Sequence, residues 1–232
     1  MIQVQNLTKE YNSRKALDDV SFTVTRGEIF SLIGANGAGK STTIKILTHQ
    51  VLATSGSASV NGLDVSSHFG QIKPGIAYVP ENLMLYGYLT GIQNLDFFCG
   101  ISGLNYTRAE LENYLIQAGL DAGHFDKKLA NYSKGMKQKV GIAFALAKKA
   151  TVLFLDEPTS GLDPKSIAEF SVLLKNLKAS GMTILISSHD LFRTINDTDR
   201  IGIMKEGRLL ETVYARETSF AQLEEKYMQL MQ

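Results

Sequence analysis

The chain has 232 residues, of which 44% are hydrophobic and 20% charged, an ordinary balance for a globular protein. Its 24 Lys and Arg against 23 Asp and Glu give a formal net charge of +1, which argues against a nucleic-acid partner and against an acidic tail. The single cysteine, Cys99, excludes an internal disulfide and a thiolate metal cluster. The N-terminus lacks a signal-peptide pattern, and no apolar run approaches the roughly 20 residues that span a bilayer, so we expect a protein that is soluble by itself.

The distribution of apolar residues predicts an α/β fold. The first ~25 residues alternate apolar and polar side chains, which predicts a small antiparallel sheet that is half exposed. Four later apolar runs are nearly continuous, as in parallel strands buried on both faces, and they lie at 29–33, 75–79, 151–155 and 183–187. Helical patterns follow Gly39 and cover about 107–118, 133–149 and 164–179.

We expect one domain over residues 1–232, built on a mainly parallel sheet with the antiparallel sheet as an N-terminal β subdomain. Residues of about 90–145 have mostly helical patterns and are predicted to form a helical subdomain inserted between two strands. A C-terminal helix is predicted over about 219–232, where Ser219 and Gln222 form a plausible capping box. Its apolar stripe is expected to pack on the body, with a dimer or partner contact as the alternative.

A phosphate-binding loop is predicted at residues 34–42, whose sequence GANGAGKST fits G-x-x-x-x-G-K-[ST] between a strand and a helix. Glycines let backbone N–H groups approach phosphate oxygens, and the helix N-terminus adds partial positive charge. Lys40 is predicted to bridge the β- and γ-phosphates of a nucleotide, and Ser41 to bind Mg²⁺. The other residues predicted to line this nucleotide site are Gly34, Asn36, Gly37, Ala38, Gly39 and Thr42.

Three further polar residues follow apolar strands. Asp156 and Glu157 end the run at 151–155, and His189 follows the run at 183–187. The carboxyl ends of parallel strands meet at one edge of a sheet, so these side chains should lie beside the phosphate loop. We expect Asp156 to hold Mg²⁺, Glu157 to activate the attacking water as general base, and His189 to contact a γ-phosphate oxygen.

In this order, the motifs resemble the ATP-binding subunits of ABC transporters, and the resemblance extends from Tyr11 to about Gly207. It implies a P-loop NTPase core that binds ATP and Mg²⁺. Residues 156–164, DEPTSGLDP, resemble the magnesium-site strand and the D-loop of this family, which places Asp163 at the nucleotide. Tyr11, which we expect on an edge strand, sits where the family has an aromatic residue that stacks on adenine.

Two segments depart from the family pattern. Residues 132–136, YSKGM, occupy the position of the signature motif, whose common form is Leu-Ser-Gly-Gly-Gln, so only Ser133 and Gly135 match. Ser133 is also a good N-cap for a helix whose positive end would face a phosphate. Glu81 replaces the usual glutamine, and we expect it to reach Mg²⁺ directly or through water. Both departures resemble the exporter branch.

The resemblance implies an ATP-hydrolysing motor subunit of a membrane exporter. Two ATP molecules would be sandwiched between head-to-tail subunits, identical or homologous, with Ser133 and Gly135 addressing the ATP of the second subunit. A transmembrane permease is the other implied partner, which places the chain at the cytoplasmic face of the cell membrane. Residues 82–89 are rich in apolar and aromatic side chains and would either contact the permease or pack the helical subdomain.

The alternatives are an importer motor, a soluble ABC-type ATPase of translation or DNA repair, and a P-loop kinase or GTPase. The translation type usually carries two cassettes, and the chain has one P-loop. The repair type needs a long coiled coil, and no heptad run is present. A GTPase needs an Asn-Lys-x-Asp string, which is also missing.

Overall fold

The computed structural model describes residues 2–232. The strands are β1 (Ile2–Tyr11), β2 (Arg14–Val24), β3 (Ile29–Ile33), β4 (Ser55–Val60), β5 (Leu63–Asp64), β6 (Ile76–Val79), β7 (Val152–Asp156), β8 (Thr183–Ser188), β9 (Arg200–Lys205) and β10 (Arg208–Tyr214). The α-helices are α1 (Lys40–Leu47), α2 (Val65–Ile72), α3 (Gly91–Ile101), α4 (Arg108–Gln117), α5 (Lys134–Ala147), α6 (Pro164–Ala179), α7 (Leu191–Asp197) and α8 (Phe220–Met231). Within this range, none of the helices combines the length and the apolar character that a membrane crossing requires.

A six-stranded sheet, in the order β10-β9-β3-β8-β7-β6, positions the site. Its pairings are parallel except for β10 with β9, and every residue of β3, β7 and β8 is buried. Burial on both faces explains why these strands are continuous apolar runs. In the register, Ile33 pairs with Ser188 and Asp156 with Ser187, so three strands end at the same edge. The predicted mainly parallel α/β sheet is confirmed.

A four-stranded antiparallel sheet, in the order β2-β1-β4-β5, contains the N-terminal strands. It confirms the predicted antiparallel sheet, and the expected edge position of Tyr11 holds only locally, since β1 as a whole is an inner strand. β1 is an inner strand because β4, which the sequence pattern did not reveal, pairs with it on the side away from β2. That pairing stops at Thr8, so at Tyr11 the strand has a neighbour on one side only, where Tyr11 pairs with Arg14 of β2.

Helices α3, α4 and α5 pack together over the sheet and share a buried cluster that includes Leu95, Cys99, Leu115 and Ala143. Their first turns are fixed locally, because Thr90 and Thr107 both form capping boxes at the starts of α3 and α4. Cys99 is fully buried in this cluster.

The C-terminal helix α8 packs on the body of the protein. Ser219 and Gln222 form the predicted capping box, and Leu223 is fully buried in a cluster with Ile33 and Ile203. Ile33 is the last residue of β3, directly before the phosphate loop. Helix α8 therefore supports the strand from which the phosphate loop starts.

Candidate active site

The phosphate loop joins β3 to α1 and holds Lys40 in a fixed position. The Lys40 side chain is only 5% exposed, and its ammonium donates to the carbonyl oxygens of Gly34, at 2.6 Å, and Ala35, at 3.2 Å. Lys40 Nζ also lies 3.4 Å from Glu157 Oε1. A buried ammonium with three oxygen neighbours is available to exchange them for phosphate oxygens.

Gly39 of this loop tolerates a side chain less well than Gly37 does. It has a φ of +106°, and a Cβ atom there would lie 2.7 Å from Leu17 Cδ2 and 2.8 Å from the Ala16 carbonyl oxygen. Gly37 has a φ of +84°, but a Cβ atom there would meet nothing within 4 Å. Both positions carry the backbone penalty of a left-handed conformation, and only Gly39 adds a steric clash.

We expect Gly39→Ala to destabilise the protein more than Gly37→Ala. The left-handed backbone costs about 1–2 kcal/mol at either position. The clash with Ala16 and Leu17 adds roughly 1–3 kcal/mol at position 39 alone. Urea unfolding of both variants measures the difference, and equal losses of stability would contradict this account.

Asp156 accepts two hydroxyl hydrogen bonds at the end of β7. Ser41 Oγ donates to Asp156 Oδ1 at 2.7 Å, and Ser187 Oγ donates to the same oxygen at 2.5 Å. Burial, followed by the charge of Asp156, raises the pKa of Tyr78 to about 12, so this neighbouring phenol stays protonated. The convergence of the Ser41 hydroxyl and the Asp156 carboxylate supplies the hard oxygen donors that Mg²⁺ prefers.

Glu157 stands between Lys40 and His189. Its Oε2 lies 2.7 Å from His189 Nδ1, while its buried Oε1 accepts no hydrogen bond from any residue of 2–232. Since a carboxylate only accepts, Nδ1 of the imidazole carries the proton. The Glu157 backbone has a φ of +47°, an uncommon value for a non-glycine residue, and its N–H donates to Ser187 Oγ at 3.0 Å. A strained backbone thus aims this carboxylate into the site.

A second set of predicted residues lies elsewhere. Ser133, Gly135 and Asp163 line a cleft of about 840 Å³ between α4, α5 and α6. Ser133 caps α5, and Asp163 caps α6 by accepting from the Ser166 N–H at 3.0 Å. Within residues 2–232, no hydrogen bond or ion pair joins this set to Lys40, Asp156, Glu157 or His189. The lining of the cleft also contains none of these four residues, so the two sets do not share it within a single copy of the chain.

Glu81 contacts two residues that belong to neither set. Its Oε1 accepts from Ser160 Oγ at 3.1 Å and lies 3.6 Å from Lys134 Nζ. The expected contact of Glu81 with a metal stays a prediction. Tyr11 is 44% exposed, and Lys9 Nζ lies 4.8 Å from the centre of its ring. Its stacking on adenine also stays a prediction.

Ser187 and Ser160 are site residues to which the sequence analysis assigned no role. Ser187 contacts both Asp156 and Glu157, and Ser160 contacts Glu81. The signal for Ser187 was its place at the end of an apolar strand, beside the acidic pair in the parallel register. Ser160 lies in a loop, and no local pattern pointed to its partner.

The first set, which consists of Lys40, Asp156, Glu157 and His189, has the groups that phosphoryl transfer to water requires. Lys40 and the N-terminus of α1 are placed to stabilise negative charge on phosphate oxygens. Glu157 has an oxygen free of hydrogen bonds from the described chain, so it can accept a proton from water. His189 is 59% exposed in its side chain and carries a second ring nitrogen that can face a ligand.

Comparisons with known proteins identify the family. Residues 17–160 match the family model described as ABC transporter. The chain is 37% identical over 215 residues to the probable multidrug ABC transporter ATP-binding protein YbhF of Escherichia coli (strain K12), covering 90% of this chain and 36% of YbhF. It is 38% identical over 211 residues to the lantibiotic transport ATP-binding protein SrtF of Streptococcus pyogenes, covering 90% of this chain and 89% of SrtF.

The fold also matches a solved structure, the dimeric post-hydrolysis state of the ATP-binding cassette MJ0796 bound to ADP and Pi. The TM-score is 0.84 at 26% sequence identity, covering 93% of this chain and 99% of that chain. The chain spans about a third of the length of YbhF and most of the length of SrtF. Since the family model matches more than half of the chain and SrtF aligns along most of its own length, this chain belongs to the ABC transporter family, as one of its ATP-binding cassettes.

Proposed function

We propose that this chain is the ATP-hydrolysing motor subunit of a membrane exporter. The observation that carries the proposal is the meeting of Lys40, Glu157 and His189 at one edge of the sheet. Similarity to proteins named for multidrug and lantibiotic transport supports the assignment to transport.

In the proposed reaction, water attacks the γ-phosphate of ATP in line with the leaving oxygen. Lys40 exchanges its loop carbonyls for β- and γ-phosphate oxygens, and Glu157 accepts the proton of the attacking water. His189 holds Glu157 through Nδ1 and contacts a γ-phosphate oxygen through its other nitrogen. A positioned general base of this kind contributes about 10²- to 10⁴-fold to the rate.

Ser41 and Asp156 fit a magnesium ion, because their oxygens converge within 2.7 Å. Residues 2–232 contain no group of three or more His, Cys, Asp or Glu that could hold a metal. The phosphates of the nucleotide would therefore complete the coordination, with Glu81 reaching the ion directly or through water, so that metal and nucleotide bind together. When bound, Mg²⁺ neutralises charge that develops on the phosphate oxygens.

The separation of the two residue sets supports a head-to-tail dimer. Ser133 and Gly135 begin α5, whose N-terminal dipole is suited to a phosphate, yet they lie away from the phosphate loop of their own chain. A second copy or a homologue would bring its nucleotide to this helix, with Asp163 beside it. Tyr11 would stack on the adenine.

The permease is proposed to contact the segment 82–89. Its side chains alternate, so that Leu83 and Leu85 pack on the core cluster while Met84, Tyr86 and Tyr88 face outward. Met84 is 86% and Tyr88 71% exposed. Clustered exposed apolar side chains mark a protein contact site, which would locate the chain at the cytoplasmic face of the membrane.

The proposed function is tested on the purified protein and on membranes. Phosphate release from ATP should depend on Mg²⁺ and rise more steeply than linearly with protein concentration, since the active unit is a dimer. Tagged protein recovered from detergent-solubilised native membranes should carry a multi-span protein at near-equal amounts. Ribosomal or DNA-processing partners would instead support a soluble ATPase.

We expect the double variant Met84→Ala, Tyr88→Ala to lose the co-purifying membrane protein while its basal hydrolysis of ATP stays unchanged. These side chains point outward and touch nothing in the nucleotide site. Leu52→Ala is the control, because Leu52 is 60% exposed on another surface and should not affect the pull-down. Retention of the partner by the double variant would place the contact elsewhere.

A further inference from the structure

Lys134 and Glu81, which both depart from the family pattern, contact each other. Lys134 is the first residue of α5, and Glu81 begins the segment that leads from β6 to α3. Their side chains are 30% and 43% exposed, and the Nζ–Oε1 distance of 3.6 Å makes a loose ion pair. The negative charge of Glu81 is therefore partly neutralised by the positive charge of Lys134.

Glu81 is held weakly. Its Oε1 receives the long hydrogen bond from Ser160, and its Oε2 has no hydrogen-bond or ion-pair partner among the described residues. Lys40 differs, since it is buried and donates to two carbonyl oxygens. A carboxylate with one free oxygen and one loose cation can exchange that cation for another.

We propose that Lys134 is an internal counter-ion that competes with the divalent metal of the nucleotide for Glu81. The inference rests on the proposed function and deepens it, because it assigns control of the metal requirement to a residue outside the phosphate loop. An ammonium placed against a carboxylate lowers the affinity of that carboxylate for any other cation. Glu81 leaves Lys134 when metal and nucleotide bind, and Lys134 is a positioning residue that acts through Glu81.

The size of the effect follows from the exposure of the pair. Partly exposed ion pairs change an equilibrium by about two- to fivefold. The competition therefore tunes metal affinity without abolishing binding. It weakens as salt concentration rises, because added ions screen the pair.

The test measures binding and needs no hydrolysis. The affinity for a fluorescent non-hydrolysable ATP analogue is titrated with Mg²⁺ and again with EDTA, and the ratio of the two affinities reports the metal contribution. We expect Lys134→Gln to raise this ratio about two- to fivefold. Glu81→Gln should lower this ratio, and the double variant should have the same ratio as Glu81→Gln alone. Lys137→Gln, which removes a cation from the next turn of the same helix, should leave the ratio unchanged.

The outcomes separate this inference from the proposed function. If the wild-type protein binds no ATP analogue, the proposed function fails. If the analogue binds but Lys134→Gln leaves the ratio unchanged, Lys134 does not compete with the metal and the inference is wrong. The inference is also wrong if Lys134→Gln raises the ratio equally in the wild-type protein and in the Glu81→Gln variant. Lys134 would then act on the nucleotide directly.

Discussion

Replacing Glu157 by glutamine is expected to leave ATP binding intact and to slow hydrolysis by about 10²- to 10⁴-fold. An amide keeps the size of the side chain and can still accept a hydrogen bond from His189 Nδ1, which lies 2.7 Å from Oε2 in the wild type. It cannot take a proton from water. Because ATP binds and is not consumed, the variant should also accumulate as a dimer, which light scattering coupled to gel filtration measures.

The matched control for Glu157→Gln is Glu224→Gln. Glu224 is an exposed carboxylate on α8, so the same chemical change there should leave both turnover and dimerisation at wild-type values. Wild-type turnover in Glu157→Gln would remove Glu157 as the general base. His189 would then be the next residue to replace, since an imidazole can also act as a general base and its Nδ1 lies 2.7 Å from Glu157 Oε2.

Replacing Lys40 by alanine is expected to weaken nucleotide binding by roughly 10- to 150-fold. Hydrogen bonds to charged groups contribute about 1.5–3 kcal/mol, and the phosphates would lose such bonds from the ammonium. The change also leaves Glu157 Oε1 without the cation that lies 3.4 Å away, so hydrolysis should fall with binding. Titration with a fluorescent ADP analogue gives the affinity.

Lys45→Ala is the control for Lys40→Ala. Lys45 lies on the same helix and is exposed, and its replacement removes the same charge from the protein. Equal losses of affinity in the two variants would mean that net charge, and not the geometry of the phosphate loop, governs nucleotide binding.

The sequence predicted the parallel sheet and its functional edge because both depend on local patterns. The phosphate loop could be located to within one residue from the continuous apolar run of β3 and the motif that follows it. The apolar run of β7 located Asp156 and Glu157 in the same way. The parallel register then brings these ends together without any further information.

The features that the sequence did not predict depend on packing between distant segments. Strand β4 has the sequence SGSASV, three of whose residues are exposed, so it lacks the apolar alternation of a strand. Its pairing with β1 makes β1 an inner strand as far as Thr8, and Tyr11 lies beyond the paired part. The contact of Glu81 with Lys134 joins residues 53 positions apart, and no local pattern encodes it.

The way in which Lys40 is held has a consequence for the release of product. Its ammonium already donates to carbonyl oxygens of its own loop, so the loop keeps a phosphate-ready shape and its cation is satisfied without ligand. Nucleotide entry therefore swaps partners and orders few residues, which limits the entropic cost of binding. When ADP leaves, the same carbonyls take the lysine back, and no unpaired buried charge opposes departure. Such a site favours repeated cycling over tight retention of its ligand.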